Sequence, residues 1–281
     1  MPIDSDRITA GRLHDGDVPP DVDVVIPVYN EGENIIPTLE SLRRLLEYRA
    51  RILICYDRDD DNTLPAVAEY AAAPLQIALV RNRGRGVLGA VKTGFASTTA
   101  ACVITLPADD DYNAARLNEM IRRSREGYDI VVASRFMRGG GGLVGCPWLK
   151  AVMVQAADWF MCYVARLPTH DASNGFRLFS RRVIEQIPIE SEVGFAYSIE
   201  LLVKAHRLRW PIMEIPVEWH QRKAGQSRFQ IVRWLPQYLR WLSYALVTTY
   251  AGRAPSSVTL NERATPSSIP HVGGQTQTPD A

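Results

Sequence analysis

Residues 22–48 read VDVVIPVYNEGENIIPTLESLRRLLEY, and a change of period inside this stretch decides the fold. VDVVIPVYN (22–30) is a β-branched apolar run of the kind that forms a strand buried on both faces. The spacing then changes: Ile35, Leu39, Leu42 and Leu46 recur at helical intervals over 34–48. Pro37 fits only the first turn of that helix, where its missing N–H has no partner to lose.

The same alternation continues outward. RILICYD (51–57), QIALVRN (76–82), ACVITLPA (101–108) and YDIVVASRF (128–136) read as strands. TLPAVAEYAAA (63–73), GVLGAVKTGFAST (86–98) and AARLNEMIRRSREG (114–127) read as helices between them, with Thr63 as an N-cap and Pro65 near its helix start. Strand and helix in turn imply an α/β fold, a mostly parallel sheet with helices on both faces. Ligands in such sheets bind beyond the carboxyl ends of the strands. The polar clusters follow that rule: Tyr29, Asn30 and Glu31 end the first strand, Asp57 to Asp61 the second, and Asp109 to Asp111 the fourth.

Beyond Gly145 the pattern becomes a long helix (147–167), a polar turn PTHDASNGFRLFS (168–180) and a mixed region reaching Tyr250. The reading divides the chain into a flexible segment 1–21, a main domain 22–227, amphipathic helices 228–250 and a disordered tail 251–281 rich in Ser, Thr, Pro, Gly and Gln. In the 228–250 segment Trp234, Tyr238, Trp241 and Tyr244 alternate with Arg228, Arg233 and Arg240, which suits either an interfacial membrane helix pair or a helix packed on the domain. Pro236 is expected to bend or divide it.

Composition is that of an ordinary globular protein, 46% hydrophobic and 22% charged with formal net charge +1, which excludes a nucleic-acid binder whose whole surface is basic. The cysteines Cys55, Cys102, Cys146 and Cys162 form no CxxC pair and suit reduced core thiols in a reducing compartment. No signal peptide and no membrane-spanning helix are expected.

Three consecutive aspartates repel one another and need either solvent or a cation. A solvated turn with Asn113 capping the next helix is one reading; a hard Mg²⁺ or Mn²⁺ binding substrate phosphates is the other. Asp57 suits either an acidic turn or hydrogen bonds to a nucleobase or ribose. The glycines of RGRGVLGAVKTG (83–94) lack the GxxxxGK[ST] pattern, so close packing is favoured over phosphate binding. Arg135, Arg177, Arg222 and Arg228 lie beside turns, where guanidinium groups suit bidentate phosphate contacts. For His170 and Asp171 a structural hydrogen bond is expected ahead of a general-base role.

Taken in order, PVYNEGENI, the strand-end Asp57, ADDD, SRFMRGG, SNGFRLFSR, GFAYSIELLVKAH, EIPVEW and RKAGQSRF resemble family 2 glycosyltransferases, the dolichol-phosphate (polyprenyl-phosphate) mannosyltransferases in particular, over about residues 22–250. The resemblance implies a GT-A fold, a nucleotide-sugar donor (GDP-mannose or a UDP-sugar), Mg²⁺ or Mn²⁺, and inversion at the anomeric carbon. It places Pro27, Tyr29 and Glu31 in the nucleotide pocket, with Asp57 on the base or ribose. Asp109 matches the last Asp of the DxD metal motif and Asp111 a further metal-facing position. Arg135, Asn174, Arg177, Arg222, Ser227 and Arg228 match phosphate-holding positions, and Asp109, Arg135 and Arg222 are the expected catalytic set. The implied acceptor is a polyprenyl phosphate, at the inner face of the membrane, bound by a peripheral cytoplasmic enzyme. A soluble or glycan acceptor, or a catalytically weak nucleotide-sugar-binding partner subunit, is the alternative. Three positions depart from the pattern: the DxD reads Pro107-Ala108-Asp109, the usual Asp-Asp-Gly-Ser reads Tyr56-Asp57-Arg58-Asp59, and Asn174 begins a stretch that is usually Ser-Gly-Phe-Arg.

Overall fold

A computed structural model describes residues 19–70, 75–221, 231–251 and 258–261. Strands β1 (Val22–Val28), β2 (Ala50–Tyr56), β3 (Gln76–Arg81), β4 (Cys102–Thr105) and β5 (Ile130–Ser134) alternate with helices α1 (Gly32–Leu45), α2 (Thr63–Glu69), α3 (Gly86–Ser97) and α4 (Ala114–Arg125). Then come β6 (Gly142–Val144), α5 (Trp148–Trp159), a π-helical turn (Phe160–Val164), β7 (Arg177–Ser180), α6 (Arg181–Gln186), α7 (Ala196–Arg207), β8 (Ile212–Pro216), β9 (Glu218–His220) and α8 (Ile231–Tyr250).

The seven-stranded sheet has the order β3-β2-β1-β4-β7-β5-β8, with β6 and β9 in a separate pair. Side chains alternate between faces along a strand, so each buried strand feeds two cores. Val25, Leu53, Val103, Val132 and Phe179 meet α3 and α7 on one face. Val24, Ile26, Ile54, Ile104 and Leu178 meet α1 and α4 on the other. The approach of α3 is close enough to require glycine: a Cβ on Gly94 would lie 2.6 and 2.7 Å from the two methyls of Val25. Gly94→Ala is therefore expected to cost about 2 kcal/mol, as overpacked cores do. Urea denaturation checks this, and an unchanged midpoint would mean that the helix can back away freely.

Several expectations need correction. The stretch 168–180 is not turn throughout: Arg177–Ser180 form β7, antiparallel to both β4 and β5. Four residues are too few to display a period, yet Leu178 and Phe179 fill opposite cores. Because α1 begins at Gly32, Pro37 is its sixth residue, beyond the first turn, and the helix forgoes one backbone bond there. Pro236 does not divide α8, a single helix of 20 residues. One face of α8 joins the core through Trp241 and Ala245, whereas Leu235, Leu239, Val247 and Tyr250 are exposed. The tail docks where it is described: Val258 is buried, and Asn261 donates to the carbonyls of Gln186 (2.9 Å) and Glu185 (2.8 Å).

No helix among the described residues is long and apolar enough to cross a membrane. Helix α5 is nevertheless unusual. Trp148 is 76% exposed, Leu149, Val152, Met153 and Trp159 are more than half exposed, and the one buried residue of the helix is an aspartate, Asp158.

Candidate active site

Strands β2, β1 and β4 are parallel neighbours, so their carboxyl ends open side by side. β7 reverses direction between β4 and β5, which returns β5 to the direction of β4. The end of β5, with Arg135 just beyond it, thus lies on the same edge. For the same reason it is the start of β7 that reaches this edge, carrying the turn 171–176 with it.

The first strand end is shaped by its neighbour. Asn30 adopts a left-handed backbone (φ 54°), and its N–H donates to both carboxylate oxygens of Asp61 at 3.0 Å. The Glu31 N–H donates to Thr63 Oγ1 (2.9 Å) and the Gly32 N–H to Asn62 Oδ1 (3.0 Å). Thr63 is therefore not the N-cap of its own helix; it is the first residue of α2, and its hydroxyl serves the N-terminus of α1. This clasp fixes the loop that carries Tyr29 and Glu31 beyond Pro27, and the Glu31 carboxylate accepts from Asn34 Nδ2 at 2.7 Å. Asp57 is held from the third strand: its carboxylate accepts from Asn82 Nδ2 and from the Gly86 N–H (2.8 Å). The glycines there do pack closely, since a Cβ on Gly89 would lie 2.8 Å from Asn82 Oδ1.

The acidic turn after β4 is pinned from α1, with Thr38 Oγ1 donating to the Ala108 carbonyl (2.8 Å) and Ser41 Oγ to the Asp111 carbonyl (2.9 Å). Its three aspartates separate into two roles. Asp110 turns inward and accepts from the N–H (3.0 Å) and Nδ2 (2.9 Å) of Asn113. Burial pushes its carboxyl up to about 6, against the bonds from Asn113 and with the charge of Asp109. Asn113 stands at the N-cap of α4, as the solvated-turn reading has it, but its side chain makes no capping bond and instead pairs with the backbone of Glu218, donating to the carbonyl at 2.9 Å and accepting from the N–H at 3.3 Å. Beside it Tyr112 stacks on His220 at 4.2 Å. Asp109 and Asp111 remain half-buried at the strand end.

Among the described residues no three His, Cys, Asp or Glu side chains converge into a metal cage. The donor chemistry of Asp109 and Asp111 fits a different arrangement, in which Mg²⁺ or Mn²⁺ takes one or two carboxylates and completes its shell with substrate phosphate and water.

On the far side, Arg135 is forked onto Asp171, with Nε 2.6 Å from Oδ2 and Nη2 2.7 Å from Oδ1. Arg177 requires correction as a phosphate ligand. It is fully buried, and its guanidinium donates to the backbone carbonyls of Ser198, Asp171, Ala172 and Asn174. Burial lowers its pKa to about 10, so it stays charged at neutral pH. Asn174 also braces the turn, donating to the Ala133 carbonyl (2.7 Å) and accepting from the Phe176 N–H (3.1 Å), rather than reaching outward. His170 Nδ1 is 2.6 Å from Glu214 Oε1, the structural bond expected of it. Arg222, Ser227 and Arg228 lie outside the described residues.

Two residues important to this edge carry only weak signals in the sequence. Asp61 sits in an Asp-Asn-Thr run whose side chains commonly bond nearby N–H groups, a legible though ambiguous signal. Asp158 is the one acidic residue between Lys150 and Arg166. Burial and the charge of Asp171 push its carboxyl up to about 7 while Arg135 and Ser173 oppose the shift, and Arg177, Cys162 and Tyr238 lie near enough to feel its charge. A carboxyl raised above its unfolded value of about 4 contributes stability that is full below that value and is lost as the pH rises to about 7. Asp158→Asn, which does not titrate, is expected to gain on the wild type by a few kcal/mol between about pH 4 and 7. Thermal unfolding across that range checks it; parallel curves would show that Asp158 ionises normally.

The sequence model of "Glycosyl transferase family 2" matches residues 23–187. The polyprenol monophosphomannose synthase of Mycolicibacterium smegmatis is 25% identical over 212 residues, covering 73% of this chain and 79% of that protein. The dolichyl-phosphate hexose transferase of Haloferax volcanii is 27% identical over 208 residues, covering 74% and 86%. Among solved structures, glucosyl-3-phosphoglycerate synthase from Mycobacterium tuberculosis, in complex with Mn²⁺, UDP and glucosyl-3-phosphoglycerate, superposes with a TM-score of 0.58 at 17% identity, covering 82% of this chain and 79% of that one. The sheet described above is thus that of the GT-A fold.

Proposed function

Since the chain belongs to glycosyl transferase family 2 and is a nucleotide-sugar glycosyltransferase, we propose that it transfers the sugar to a polyprenyl (dolichyl-type) phosphate with inversion, at a membrane surface. The observation that carries the reading is the division of one sheet edge into an acidic half at β1, β2 and β4 and a half at β5 bearing Arg135, beside which α5 carries an exposed apolar surface. The names of the two relatives support the acceptor class.

In this reading Pro27, Tyr29, Glu31 and Asp57 receive the nucleotide of a GDP- or UDP-sugar. Asp109 and Asp111 would hold Mg²⁺ or Mn²⁺, which when bound neutralises the diphosphate leaving group. Arg135, with Arg222, Ser227 and Arg228, attracts the acceptor phosphate, whose dianion is already nucleophilic near pH 7 and needs no general base. Attack from the face opposite the leaving diphosphate forms the new C1–O bond as the old one breaks, which inverts the centre. Trp148, Leu149, Val152, Met153 and Trp159 suit burial at the headgroup boundary of the inner membrane face, where tryptophan is favoured.

Pro107 at the first metal position favours a second reading, a donor-binding partner subunit with weak catalysis. Both are tested by nucleoside-diphosphate release from a panel of nucleotide sugars, with and without polyprenyl phosphate, in Mn²⁺ or EDTA. Release from one donor that needs both lipid and metal supports the transferase reading. Release that needs a soluble acceptor instead removes the lipid, and donor binding without turnover favours the partner subunit.

A further inference from the structure

A hydrogen-bond chain connects the exposed helix α5 to the arginine at the end of β5. Asp158, 1% exposed, accepts the Ser173 N–H at Oδ1 (2.9 Å) and the Ser173 hydroxyl at Oδ2 (2.8 Å). With its hydrogen committed to the carboxylate, the Ser173 oxygen presents lone pairs to Arg135 Nη2, 3.0 Å away. Asp158 Oδ2 is itself 4.0 Å from Nη2, an ion-pair distance but too long for a hydrogen bond, so the hydrogen-bonded path from Asp158 to the guanidinium runs through the serine. Asp171 grips the other edge of the same guanidinium and also accepts the Arg135 N–H at 2.8 Å. Two carboxylates in one buried place are costly unless the polar network they complete is satisfied.

We propose that Asp158 is a positioning residue: it sets the direction of the Ser173 hydroxyl, and through it the orientation of Arg135 toward the phosphate of the acceptor. This deepens the acceptor half of the function proposed above and rests on it. The chemistry makes two substitutions informative. Asp158→Asn keeps size and an oxygen for the Ser173 N–H, but its amide must donate to the Ser173 oxygen, which reverses the chain. Ser173→Ala removes the link and leaves both ends in place.

Steady-state kinetics in the full chain, with polyprenyl phosphate and donor varied separately, test the proposal. Both variants are expected to raise the KM for polyprenyl phosphate about tenfold and leave the donor KM within twofold. Ser173→Thr, which restores a hydroxyl, should return the acceptor KM to within about threefold of wild type. Asp158→Asn should not lower Tm at pH 7, so that a weaker fold cannot account for the loss. An unchanged acceptor KM, or an equal rise in both KM values, overturns the relay. Should wild type turn over no lipid phosphate at all, the acceptor reading has failed. The relay is then judged by ¹⁵N NMR of the Arg135 guanidinium. Rotation about Nε–Cζ is expected to be several times faster in both variants, and equal rates overturn the relay independently of the acceptor.

Discussion

Asp109→Ala is expected to lower turnover by about 10²–10³-fold, the scale on which removing one group that stabilises developing charge acts. The argument comes from how the triple aspartate divides. Position 107 is proline, so the strand end offers no carboxylate before Asp109. Asp110 faces Asn113. In the function proposed above Asp109 and Asp111 are the carboxylates of this turn that would meet a cation, so the loss of either is not made good by the other two positions. Asp110→Asn, which keeps an oxygen for the Asn113 N–H and removes a carboxyl whose charged form burial disfavours, should by contrast reduce turnover less than tenfold without lowering Tm at pH 7. Steady-state rates for the two variants, with Mn²⁺ titrated from an EDTA-treated start, separate the roles. Asp111→Ala is expected to raise the Mn²⁺ needed for half-maximal rate. Turnover of Asp109→Ala within threefold of wild type would remove Asp109 from the chemistry.

The first half of the fold was legible because its strands are long enough to show a period. The run at 22–28 is buried nearly throughout, and only a strand covered on both faces produces that pattern. The three polar strand ends followed from the same alternation, since adjacent parallel strands must end on one edge. β7 was not legible: four residues among turn formers carry no period, and its place between β4 and β5 depends on pairing distant in sequence. That omission misplaced Arg177. Beside a turn an arginine looks available for phosphate, whereas at the start of a central strand it is enclosed. The exposure of α5 was hidden for a related reason, because an apolar helix spacing is the same whether protein or another phase covers it. Asp158 left one trace, a lone acid in an apolar helix. Its meaning depended on Ser173, 15 residues away along the chain.

Arg177→Met is expected to destabilise the protein by at least about 4 kcal/mol, since each hydrogen bond from a charged group is worth about 1.5–3 kcal/mol and buried carbonyls left without a donor add a penalty. The side chain is fully buried, and its donors gather the carbonyls of Asp171, Ala172 and Asn174 from the turn and of Ser198 from α7. It thus ties the turn that carries Asp171, the partner of Arg135, to the helix behind the sheet. Methionine fills a similar volume but offers no N–H group, so the loss is one of bonding more than of packing. The conservative variant distinguishes this role from phosphate binding. Arg177→Lys keeps the charge but cannot reach four carbonyls at once, so Tm should drop by several degrees while the acceptor KM of the folded fraction moves less than threefold. A phosphate ligand would behave in the opposite way, with Tm unchanged and the acceptor KM raised tenfold or more. Measuring Tm and KM on the same Arg177→Lys preparation decides between the two, and with them whether the guanidinium at the start of β7 belongs to the fold or to the chemistry.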